Sequence, residues 1–119
     1  LPDWRGPGRE PLPAPELAAE NRQLLRRCLW EEVGIVRTTA GLERACLVLD
    51  GLAEESEALY RRHSLDVTLV ELRNLATVAQ MMAPGAWMRQ ESRGAHFNSD
   101  YPQRDDLHWQ RDTLMRAAC

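Results

Sequence analysis

Residues 64–88 read SLDVTLVELRNLATVAQMMAPGAWM, and the spacing of apolar side chains in this stretch decides the fold class. Leu65, Leu69, Leu72, Leu75, Ala79, Met82 and Ala86 recur at intervals of three and four, which places them on one face of an α-helix. Val67, Val70, Val78 and Met81 widen that stripe, so this helix is expected to be buried on more than one side. Ser64 is the expected N-cap, with Asp66 in the first turn. Pro84-Gly85 removes one backbone bond late in the helix and predicts a kink or break there.

Two further amphipathic stretches lie upstream. One starts near Pro15 and carries Leu17, Ala18, Leu24, Leu25, Cys28, Leu29 and Val33, with Gly34 as its stop. The other is capped by Thr38 or Thr39 and carries Leu42, Ala45, Cys46, Leu49, Leu52, Ala53, Leu59 and Tyr60. Its opposite stripe is Glu43, Asp50, Glu54, Glu57 and Arg61, a solvated face. Short connections between the three predict an all-α protein, an antiparallel three-helix bundle. Residues 1–15 hold five of the seven prolines and two of the seven glycines and are expected to form an extended linker, with the helical domain covering 16–119. Residues 91–106, ESRGAHFNSDYPQRDD, are polar, aromatic and punctuated by Gly94 and Pro102, and are expected to form an ordered loop. A short fourth helix is expected from Asp105 to Met115, with Trp109 facing inward.

A chain of 119 residues suits one domain and buries roughly two-thirds of its unfolded surface. Its fifteen basic residues are all arginine, which excludes lysine Schiff-base chemistry and a Walker-type phosphate loop. A net charge of −3 argues against sequence-independent nucleic-acid binding. No apolar run approaches the ~20 residues of a membrane span, and the beginning of the chain lacks a signal-peptide pattern. Cys28, Cys46 and Cys119 are odd in number and form no C-x-x-C, which points to reduced thiols and a cytoplasmic location. The first residue is Leu1 rather than methionine, so the chain reads as a piece of something longer.

Chemistry-bearing residues are sparse. His63, His96 and His108 lack the i, i+4 spacing of metal ligands on one helical face, and no metal site is expected. Ser92, His96 and Asp100 are the residue types of a nucleophilic triad, but no strand-turn-helix elbow surrounds Ser92. Glu71 and Asn74 share a face with Val67, Val78 and Met81. Buried without partners, each costs on the order of 1–3 kcal/mol. Either the turns of 91–101 supply those partners, or the stripe lies at an edge and both groups reach water. Arg73 joins Asp66, Thr77 and Gln80 on the stripe expected to be exposed.

Three motifs, WEEVGIVRTTAGLERA (30–45), ELRNLATVAQ (71–80) and RQESRGAHFNSDYPQRDD (89–106), occur in an order and spacing that resembles the C-terminal helical domain of the succinate dehydrogenase, fumarate reductase and L-aspartate oxidase flavoproteins. The resemblance runs from about Leu17 to Leu114, and GIVRTT followed by LERA is closer to the L-aspartate oxidase branch. It implies a parent that oxidises L-aspartate to iminoaspartate with non-covalent FAD, the first step of de novo NAD synthesis. The family's glycine-rich flavin fingerprint lies upstream, and no G-x-G-x-x-G occurs here. The resemblance therefore implies no catalytic, cofactor-binding or metal-binding residue in this chain and no activity of its own. It implies instead docking on the flavin-binding domain of the same parent chain through the 91–106 segment. Arg93, Gly94, His96, Phe97, Asp100 and Tyr101 are the candidate docking residues, and Glu71 and Asn74 are candidate buried polar groups. Separated from that partner, the domain is expected to expose the apolar side of its third helix or the 91–101 segment, and to self-associate. The alternatives are the same domain of a succinate dehydrogenase or fumarate reductase subunit, and a free-standing helical adaptor.

Overall fold

Thr38 sets the start of the longest helix. Its hydroxyl accepts a 3.0 Å bond from the Gly41 N–H, and its extended backbone turns the chain into the helix. In the computed structural model, residues 7, 8, 10, 11 and 15–115 are described. Among them the order is α1 (Pro15–Glu32), β1 (Val36–Arg37), α2 (Thr39–Arg62), α3 (Val67–Met88), β2 (Phe97–Asn98) and α4 (Asp106–Trp109). The three long helices pack against one another as an antiparallel bundle, the all-α class expected.

Period 3.6 places the buried side chains. Ala18, Leu25 and Cys28 of α1 meet Leu42, Ala45, Leu49 and Leu52 of α2 and Leu69, Leu72, Ala76, Ala79, Ala83 and Ala86 of α3 in one core. The inner face of α3 is mostly alanine, which offers little side-chain height and lets its neighbours lie close. That face continues through Pro84, and α3 runs unbroken to Met88. The expected break is absent because Ala83 and Ala86, on either side, are held in the core, and a proline removes only one N–H from the ladder.

The rim differs from the periodic reading in four places. Asp66, not Ser64, caps α3, its carboxylate accepting from the Thr68 and Leu69 N–H groups. Leu65, Val67, Val78, Met81 and Met82 are exposed, so α3 is buried on one side only. Arg73 is not free in solvent: it pairs with Glu57 and stacks on Tyr60, 4.5 Å from the ring centre. The fourth helix stops at Trp109 rather than Met115. The carbonyls that would continue it are taken: the Arg89 guanidinium donates to the Trp109 and Arg111 oxygens and to the Thr113 hydroxyl. Trp109 is half-buried, and the Arg89 and Arg111 cations lie 5.8 and 5.7 Å from the centre of its ring.

The expected linker falls largely outside the described residues, but its described part is docked. The Gly8 and Glu10 N–H groups donate to the Tyr60 and Arg62 carbonyls, and the Ser64 N–H returns to the Glu10 carbonyl. These bonds satisfy carbonyls that the last turn of α2 leaves open. A side chain at position 8 would have its Cβ 2.0 Å from the Arg62 oxygen, so only glycine permits the approach. His63 is buried at this junction with Nδ1 3.0 Å from the Pro11 carbonyl oxygen.

Candidate functional site

The chain bends at Glu91 after α3, and Arg89, Glu91 and Arg93 form a plus-minus-plus row whose two guanidiniums close on the acid between them. Glu91 is fully buried between its neighbours. Arg93 grips it with both arms, Nε to Oε1 at 2.9 Å and Nη2 to Oε2 at 3.1 Å. Arg89 Nε donates to Oε1 at 3.0 Å, and the Asp105 N–H to Oε2 at 3.0 Å. Four charge-assisted bonds outweigh the cost of burial. The Arg93 contact foremost, then the Asp105 amide and Arg89, hold the carboxyl down to about 2. Arg93 also reaches Asp106, and both acids push its own ionisation upward.

Next comes a tight turn. Arg93 and His96 exchange backbone bonds of 2.8 and 3.0 Å around Gly94 and Ala95. Gly94 sits at φ +58, and no other residue type among the described ones has positive φ. Glycine at the first central position is the requirement of a II′ turn. The chain then runs beside the α1–α2 connection as a two-residue parallel pair, Val36 with Phe97 and Arg37 with Asn98. Further along, the Asp100 carboxylate accepts the Thr39 N–H at 2.7 Å, at the first turn of α2. That bond lowers its ionisation range and offsets the positive end of the helix.

His96 joins the two halves. Arg37 Nη1 lies 2.5 Å from Nδ1, while Nε2 lies 3.2 Å from the Arg89 carbonyl oxygen. A guanidinium can only donate, so Nδ1 accepts and Nε2 donates to the carbonyl: the neutral ring with its proton on Nε2. Burial foremost, then the Arg37 and Arg89 charges, lower its ionisation against the opposing pull of the carbonyl. Both His96 and Glu91 are lowered groups. Each contributes stability that is whole above its unfolded value and lost as pH falls towards its folded one. We expect the urea midpoint of the chain to decline first below 6.5, where the His96 imidazole is protonated in the unfolded chain before the folded one, and again between 4.5 and about 2, where the same holds for the Glu91 carboxyl. A profile flat through the histidine range refutes this geometry.

The six candidate docking residues thus lie together, but their charged and imidazole side chains are bonded within the domain. Arg93, His96 and Asp100 are engaged with Glu91, Arg37 and α2, and Gly94 makes the turn. The Tyr101 carbonyl accepts from Ser92, and Phe97, 40% exposed, is the large apolar side chain among the six that reaches the surface. Ser92, His96 and Asp100 form no relay, because the Ser92 hydroxyl is bonded to the Asn98 and Tyr101 carbonyls. Glu71 and Asn74, candidates for burial, are at the surface. The carboxylate of Glu71 pairs with Arg22 at 2.9 Å, half exposed, because their arc of α3 points away from the core. Among the described residues no cluster of His, Cys, Asp or Glu could hold a metal ion. Sequence reasoning missed Glu91, Arg89 and Arg37; the alternation of charge at 89, 91 and 93 was the available signal.

Comparison with known proteins places this architecture. Residues 22–118 match the family described as fumarate reductase flavoprotein C-term. The chain is 39% identical over 115 residues to the L-aspartate oxidase of Pseudomonas aeruginosa, covering 97% of itself and 21% of that protein. It is 44% identical over 87 residues to L-aspartate oxidase 1 of Ralstonia nicotianae, covering 73% of itself and 16% of the relative. A more distant match, 29% identical over 94 residues, is an uncharacterized FAD-dependent oxidoreductase of Methanocaldococcus jannaschii, with 78% of this chain and 17% of that one covered. The chain therefore spans about a fifth of the length of the curated relatives it matches.

Proposed function

The chain belongs to the fumarate reductase flavoprotein C-terminal family, and from that premise we propose that it is the C-terminal helical domain of an FAD-dependent L-aspartate oxidase. The parent takes L-aspartate to iminoaspartate in de novo NAD synthesis, passing two electrons to its flavin, and works in the cytoplasm. The domain contributes no catalytic group; it is the module on which the flavin-binding part of the same chain is seated. The identity to L-aspartate oxidases across nearly all of these residues carries this reading.

Among the described residues, neither the α2 and α3 N-termini nor the sheet fits an FAD. A dinucleotide needs a free helix N-terminus for its pyrophosphate. Here α2 is closed by Thr38 and Asp100, and α3 by the Asp66 carboxylate, which would repel a phosphate. The only described sheet has strands of two residues and offers no dinucleotide crevice. No described helix is long and apolar enough to cross a membrane.

The test uses the full-length parent and the 119-residue chain side by side. We expect a flavin spectrum and L-aspartate-dependent peroxide formation from the parent, and neither from the isolated chain. Reduction of the parent by succinate but not aspartate would move it to the dehydrogenase branch. Flavin binding by the isolated chain, or a gene encoding it alone, would overturn the domain reading.

A further inference from the structure

Resting on that reading, we propose that the outer face of α3, centred on Val67, Asn74, Val78 and Met81, is the surface that seats this domain on the flavin-binding part of its parent chain. At 100° per residue these four positions fall within an arc of about 60°, opposite the core positions Ala76 and Ala83. Val67 is 74% exposed, Val78 47% and Met81 49%, so α3 carries a second apolar face that the described residues leave largely uncovered. A helix apolar on both sides is one that its protein encloses.

The outer stripe of α2 makes the contrast. There Glu43, Asp50 and Glu54 flank the one exposed leucine, Leu47, so that stripe is mainly charged. The α3 arc has one charge at its border, Glu71, and Arg22 neutralises it. Beside it lies a shallow groove of about 360 Å³ lined by Arg22, Glu71, Asn74, Leu75 and Val78. The fitting partner is therefore apolar and uncharged at the contact, with a backbone group for the Asn74 amide. The 91–101 segment is a weaker candidate for the same role, because its polar atoms are bonded within the domain. The occupant is the remainder of the parent: curated relatives are about five times as long as this chain, so about four-fifths of such a protein lies outside it. That remainder is held on the same polypeptide at high effective concentration.

The experiment places Val78→Asp and Met81→Asp, one at a time, in the full-length parent. Both residues are exposed here, so the domain's own core is untouched. Bound FAD after gel filtration should fall by roughly half or more, and protease cleavage between the domain and the rest should quicken about tenfold, as expected when a carboxylate is forced into an apolar contact. Leu47→Asp, on the outer side of α2 and 77% exposed, should change neither. A flavoprotein that keeps its FAD and protease resistance in both variants overturns the proposal alone. So does one whose only change is dissociation of a dimer, which would assign the face to a second copy. A parent that carries no FAD overturns the functional reading and the proposal together.

Discussion

Glu91→Ala should lower the melting temperature of this chain by roughly 10 °C or more, the scale expected when one partner of a buried charge cluster is removed from a small domain. The carboxylate is wholly enclosed and takes four donors. Its removal leaves the Asp105 N–H without an acceptor and brings two guanidiniums, only 16% and 27% exposed, together with no charge between them. Glu91→Gln should fall between wild type and alanine. It keeps one acceptor oxygen but turns an NH₂ group towards an arginine. Thermal unfolding followed by circular dichroism decides the matter, and a wild-type midpoint for the alanine variant would refute the clamp.

Leu72→Ala should cost about 3 kcal/mol, within the 2–5 typical of a fully enclosed leucine. Leu72 has no exposed surface and sits on the inner side of α3, among alanines too short to fill a void. Against a total stability of about 5–15 kcal/mol for a domain this size, that is a large fraction. Val78→Ala, six residues on and on the outer side, should stay within about 0.5 kcal/mol in this chain. Urea titration checks both, with unchanged slope and a shifted midpoint for Leu72→Ala only. Equal losses at the two positions would mean that α3 is not one-sided.

What could be read from the residues follows from the range of the forces involved. Helix positions and the Thr38 cap are local, and intervals of three and four reveal them. Asp66 displaced Ser64 as cap because either side chain can accept an N–H, and only the path of the incoming chain chooses between them. The outer residues Val67, Val78 and Met81 read as core because hydropathy reports that a face wants cover, not which molecule supplies it. The motif at 89–106 was recognised as ordered, yet its centre was not: Glu91 is one acid among eighteen until Arg89, Arg93 and the Asp105 amide converge on it. The short fourth helix failed for a related reason, since Arg89 takes its carbonyls from twenty residues away. The pairing of Arg37 with His96 spans 59 positions and leaves no periodic trace.

That separation has a kinetic consequence. The α2–α3 hairpin forms between neighbours in the chain, but the Thr39–Asp100 bond closes a loop of 61 residues. Loop-closure entropy delays such contacts until something nearer has already brought the ends together. Assembly is therefore expected to run from the hairpin to the Thr39–Asp100 closure. That end should open before the leucine core between α2 and α3 does.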